Sequence, residues 1–75
     1  MISVNSRLAL AIRRLNAEYA KLPDPDSVEV FTDDFIRLEG AIDLALAAGD
    51  DPAAFAAIQR WESECLRIFT EATDG

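Results

Sequence analysis

Two breaks govern what this chain can become. In LPDPDS, Leu22 to Ser27, and in GDDP, Gly49 to Pro52, proline stands among turn-forming residues, so no helix or central strand can run through either. Three stretches remain, and each repeats its apolar residues three or four positions apart, the spacing that lines one face of an α-helix.

In the first stretch Leu8, Ile12, Leu15, Tyr19 and Leu22 keep that spacing, with Val4 and Ala11 on the same side. This predicts a helix over 5–22, with Asn5 or Ser6 accepting a hydrogen bond from a free backbone N–H at its start. Thr32 is a good cap for a second helix over 33–48, where Asp33 and Asp34 face the positive end of the helix dipole and Gly49 ends the run. Its core face reads Phe35, Leu38, Ile42, Ala45 and Leu46. Asp51 and Pro52 announce a third helix over 52–72, with Phe55, Ile58, Trp61, Cys65, Leu66, Ile68 and Phe69 over a broad apolar arc. Between the first two helices, residues 28–31 alternate valine with polar side chains and predict a short extended segment, either a loop or a strand that pairs with another chain. The expectation is all-α: a small three-helix bundle in a single domain, 1–75.

A chain of 75 residues buries only a modest core, and thirteen alanines cover little area each, so a few large side chains must carry it. Cys65 is the only cysteine and there is no histidine, which rules out an internal disulfide and a Cys/His zinc site. No basic flank precedes an apolar run at the N-terminus, and no stretch is long enough to span a bilayer, which predicts a cytoplasmic protein without membrane contact.

Charge is distributed unevenly. Residues 1–22 carry Arg7, Arg13, Arg14 and Lys21 against Glu18, whereas residues 24–51 carry nine carboxylates against Arg37, a net −8 in a chain of net −7. That block repels phosphate backbones and attracts basic surfaces, so direct nucleic-acid binding is not expected. The basic face of the first helix, Arg7, Arg14 and Lys21, is expected to serve attraction within or between subunits.

Enzyme chemistry is poorly supplied. The usual neutral-pH base is absent, Cys65 falls inside an apolar arc, and the carboxylate pairs Asp33/Asp34 and Asp50/Asp51 sit at helix starts where capping explains them. No cofactor and no catalytic residue are assigned. DPDSVE opens like a calcium loop with Asp24 and Asp26, but Val28, Glu29 and Phe35 stand where an oxygen ligand, the turn glycine and a glutamate ligand are needed, and no metal is expected. Glu62 lies within the apolar arc of the third helix; it sits at the edge of the core, pairs with Arg13 or Arg14, or anchors a basic residue of a partner.

Three resemblances follow from these residues. Asp26-Ser27-Val28 is similar to the Asp-Ser-Leu motif of acyl carrier proteins, which implies phosphopantetheine on Ser27 at the start of a helix; no glycine precedes the Asp and Val28 replaces the leucine. The order extended segment, helix, helix from Val28 to Phe69 resembles the ribbon-helix-helix layout, with Val28, Glu29 and Val30 where DNA-reading side chains would stand. In size and charge the chain resembles small acidic proteins of phages and mobile elements that inhibit host nucleases, including DNA mimics and some anti-CRISPR proteins.

The resulting expectation is a non-enzymatic binding protein. Asp24, Asp26 and Glu29, with Asp33, Asp34, Glu39 and Asp43, dock on a basic surface of a partner protein, one that normally handles nucleic acid. The alternative is a homodimeric adaptor or assembly protein joined through Ile36, Gly40 and Leu44, a second apolar stripe on the second helix, flanked by Ala47. The stripe would be covered internally if the second helix were the central one.

Overall fold

A computed structural model describes residues 2–74: α1 over Val4–Ala20, a one-turn 3₁₀ helix over Pro25–Ser27, α2 over Asp33–Ala48 and α3 over Asp51–Asp74. The all-α expectation holds, and the departures lie at the helix ends. Ser3, in extended conformation, caps α1 by accepting from the Ser6 N–H at 3.1 Å, so Asn5 and Ser6 lie inside the helix. At the other end α1 stops at Ala20, two residues short of the predicted 22. Pro23 disfavours helical geometry in the residue before it, and the Lys21 and Leu22 N–H groups turn back to the Glu18 and Tyr19 carbonyls at 3.2 and 3.1 Å.

The connection from α2 to α3 is as short as geometry allows. Gly49 takes the left-handed conformation at φ 68°, its N–H donates to Leu46, and the Asp50 N–H donates to Ala45, which closes the last turn of α2. Asp50 then caps α3, its Oδ1 accepting from the Ala53 N–H at 3.2 Å. The cap is Asp50 rather than the expected Asp51, because ending α2 already fixes the Asp50 backbone ahead of the new helix. Residues 28–31 form no strand within the chain; Val28 is extended and the Thr32 N–H folds back to the Val30 carbonyl at 2.9 Å.

The central helix is α3. Both α1 and α2 pack on it, yet they make no substantial contact with each other, which corrects the reading of α2 as the covered middle helix. Small residues allow the approach: Ala11 of α1, Ala45 of α2, and Ala54 and Ala57 of α3 are all buried around Ile58, with Val4 and Ile42 completing that cluster. A second cluster gathers Leu15, Leu22, Phe35, Cys65 and Phe69, and Trp61 packs against both. Because α2 meets only one helix, its covered strip narrows to Phe35, Ile42 and Ala45, while Leu38 is half-buried and Leu46 is exposed.

Candidate partner-binding surface

Two charges of α1, Arg7 and Arg14, meet one carboxylate of α3, while Arg13 is exposed. Glu62 of α3 is only 8% exposed, and its Oε1 accepts a hydrogen bond from Arg7 Nη2 at 2.9 Å, with Arg14 Nη1 at 3.7 Å. Glu62 is therefore internally paired, but with Arg7 and Arg14, not Arg13. Steps of seven along α1 bring Arg7 and Arg14 to the same side, so one buried carboxylate meets both. Lys21, the third residue of the predicted basic face, lies just past the end of α1 and pairs instead with Glu18 in its last turn at 3.3 Å.

Charges on α2 and its lead-in are turned outward. All nine carboxylates between Asp24 and Asp51 are exposed, and among the described residues only Asp34 has an ion partner, Arg37 one turn along at 3.4 Å. Asp50 caps α3, and Asp33, Asp34 and Asp51 occupy first turns where the helix dipole favours them. Asp24, Asp26, Glu29, Glu39 and Asp43 have neither a capping role nor an ion pair among the described residues. Among the described residues no basic side chain of α1 forms an ion pair with any of them.

The stripe of Ile36, Gly40 and Leu44 faces away from α3. Ile36 is 57% exposed and Leu44 75%, and a side chain added at Gly40 would meet nothing within 4 Å. Among the described residues nothing covers Ile36 or Leu44.

A third feature lies where α1 and α2 fail to meet. Along that seam runs a groove of about 540 Å³, walled by Leu8, Ile12, Asn16 and Tyr19 of α1 and by Glu39, Ile42 and Asp43 of α2. Trp61, Cys65 and Phe69 of α3 also line it, with the connection adding Val28 to Phe31 at one end. Phe31 is 71% exposed and stands edge-on to Phe35, the ring centres 5.2 Å apart, while the Tyr19 hydroxyl donates to the Pro25 carbonyl at 3.0 Å and ties the connection to α1. The indole N–H of Trp61 is buried with no acceptor among the described residues. Sequence periodicity placed Ile12 on the core face, but it is 43% exposed, because α3 alone is too narrow to cover the whole apolar arc of α1. That breadth was the available signal for a groove.

Cys65 is 2% exposed, and burial pushes its thiol up to about 11, with Glu64 and Glu39 adding to the rise, so it stays protonated near neutrality. Ser27 closes the 3₁₀ turn, its hydroxyl donating to the Asp24 carbonyl at 2.9 Å. It lies well ahead of Asp33, where α2 begins, and not at the helix start that the carrier-protein resemblance implies. Among the described residues no three His, Cys, Asp or Glu side chains are grouped to hold a metal ion, and no helix is long and apolar enough to cross a membrane. Compared with protein-family models, with curated proteins and with solved structures, the chain matches none.

Proposed function

We propose that this protein is a non-enzymatic binding module that docks its acidic surface, Asp24, Asp26, Glu29, Asp33, Asp34, Glu39 and Asp43, on a basic surface of another protein. The observation that carries this reading is the outward, largely unpaired placement of the carboxylates between residues 24 and 51, while Arg7 and Arg14 are engaged with Glu62. Like charges held side by side repel one another and weaken the compact state, so such a surface has a use only when something cationic meets it. A protein that normally grips nucleic acid presents such a surface, and an inhibitor made by a phage or mobile element, in the manner of a DNA mimic, is the biological role this chemistry fits.

The test is the salt dependence of binding to a cationic protein surface, with oligolysine as the simplest probe. Affinity should fall steeply between low and high ionic strength. Affinity that stays flat, or no binding at low salt, sinks the reading.

A homodimer joined through Ile36, Gly40 and Leu44 is the second reading, favoured by the exposure of that stripe. A dimer that survives dilution in sedimentation and becomes monomeric in Leu44→Glu would establish it.

A further inference from the structure

The geometry points to the groove between α1 and α2 as a cradle for one amphipathic helix of a partner protein, apolar on the face it inserts and flanked by Lys or Arg. This inference rests on the acidic-surface reading above and narrows it to a place and a shape.

Shape comes first. The Cα trace measures 39 × 25 × 15 Å, and its shortest dimension is about that of two packed helix layers, given interaxial distances of 8–10 Å. With α3 in one layer and α1 and α2 apart, the open space is the place a fourth helix takes in a four-helix bundle. From Leu8 to Tyr19 the α1 wall runs about 17 Å at 1.5 Å per residue, room for roughly three turns of a ligand helix.

Chemistry selects the kind of helix. The inner surface is aromatic and aliphatic, which calls for an apolar face on the occupant. Every charged residue lining the groove is acidic: Glu29, Glu39 and Asp43. A helix with cations beside its apolar stripe satisfies both, since its apolar residues displace water from Ile12, Phe31 and Trp61 while its Lys or Arg side chains reach the rim.

A second copy of this chain does not meet that description. The apolar face of α1 already walls the groove, α3 is packed on by both other helices, and the exposed stripe on α2 shares its helix with Asp33, Asp34, Glu39 and Asp43 against the single cation Arg37. Bringing it into the groove would set carboxylates against carboxylates in two chains of net −7 each.

Trp61 is the only tryptophan and lines the groove, so its fluorescence reports occupancy. The test titrates the intact protein with a synthetic peptide of about 18 Leu and Lys residues in amphipathic order, five turns at 3.6 residues each, and in parallel with an oligolysine of equal charge. The Leu/Lys peptide should shift Trp61 emission saturably and bind at least about tenfold more tightly than oligolysine. Ile12→Ala with Phe31→Ala, at exposed positions that leave the fold intact, should weaken it by about tenfold, and Glu39→Gln with Asp43→Asn should flatten its salt dependence. Glu71→Gln, on α3 outside the groove, should change neither.

Equal binding of the two peptides, with Trp61 silent and the Ile12/Phe31 variant unaffected, overturns the groove and leaves the acidic-surface reading standing. No binding of either peptide at low salt overturns both. A stable dimer in sedimentation that excludes the Leu/Lys peptide until Ile12 and Phe31 are replaced gives the groove to a second copy and overturns the proposal as well.

Discussion

Helices α1 and α2 are close in length and both lean on α3, yet they dispose of their charges in opposite ways. Arg7 and Arg14 of α1 converge on a buried carboxylate, so charge there holds the bundle together. Glu39 and Asp43 of α2 stand exposed without ion partners among the described residues, so charge there makes no pair that supports the fold. The difference teaches that net charge by itself says little about use: a charged residue that completes an internal pair is explained by folding, and one that the fold leaves alone calls for another explanation.

The largest effect expected concerns the ground between the two helices. Cys65 lies beneath the groove, where burial first, and then Glu64 and Glu39, raise its thiol to about 11 from an ordinary 9.0. At about pH 8 its alkylation should be slower than in the unfolded chain by on the order of a hundredfold from the thiolate fraction alone, with burial adding to this. The sign for stability follows from linkage. Unfolded Cys65 loses its proton near pH 9 and folded Cys65 only near 11, so above 9 the unfolded state binds fewer protons and stability falls as pH rises through that window. Urea unfolding of the native chain and of Cys65→Ala at rising pH should converge accordingly. A thiol that titrates near 9 in the folded protein would mean that Cys65 is not buried among Leu15, Phe35 and Phe69 as described.

Next in size is the internal pair. Glu62→Gln keeps a hydrogen-bond acceptor but removes the charge facing Arg7 and Arg14. A fully buried pair broken this way costs about 3–5 kcal/mol, and partial exposure of the arginines reduces the expectation to about 1–2 kcal/mol. Denaturant midpoints measure it. No loss of stability would erase the contrast between the two helices, since charge on α1 would then be as dispensable as charge on α2.

How much of this was legible in the sequence depends on whether the cause was local. Thr32, Gly49 and the proline breaks act on their immediate neighbours, and the corresponding helix boundaries fall within a residue or two of expectation. Glu62 was visible as a carboxylate out of place, but whether Arg7, Arg13 or Arg14 would meet it depends on the rotation of α1 about its axis, which the spacing of α1 alone does not fix. The groove was hidden for a similar reason. Ile12 and Tyr19 have the same apolar periodicity whether a helix packs on them or not, and only the separation of α1 from α2 leaves them lining open space. Exposure of the acidic block could be expected from composition; that Arg7 and Arg14 would both pair with Glu62 could not.

A smaller effect tests the backbone that sets α2 beside α3. Gly49→Ala places a side chain in the left-handed region, and since an added Cβ meets nothing within 4 Å, the penalty is conformational alone. A loss of about 1 kcal/mol in chemical unfolding is expected. A loss well above that would mean that the α2–α3 angle, and with it the width of the groove, is held by this one turn more than by the buried alanines.

The smallest effect carries the opposite sign and bears most directly on function. Glu39 and Asp43 lie four apart on α2, where like charges oppose each other by about 0.2–0.5 kcal/mol, and neither has an ion partner among the described residues. Asp43→Asn should therefore leave thermal stability unchanged or raise it by a few tenths of a kcal/mol, and the gain should shrink as salt screens the repulsion. A carboxylate that can be removed with a gain in stability is kept for something other than the fold. If Asp43→Asn instead destabilised the protein by about 1 kcal/mol or more, the carboxylate would have a structural partner after all, and the outward charge of α2 would need no partner protein to explain it.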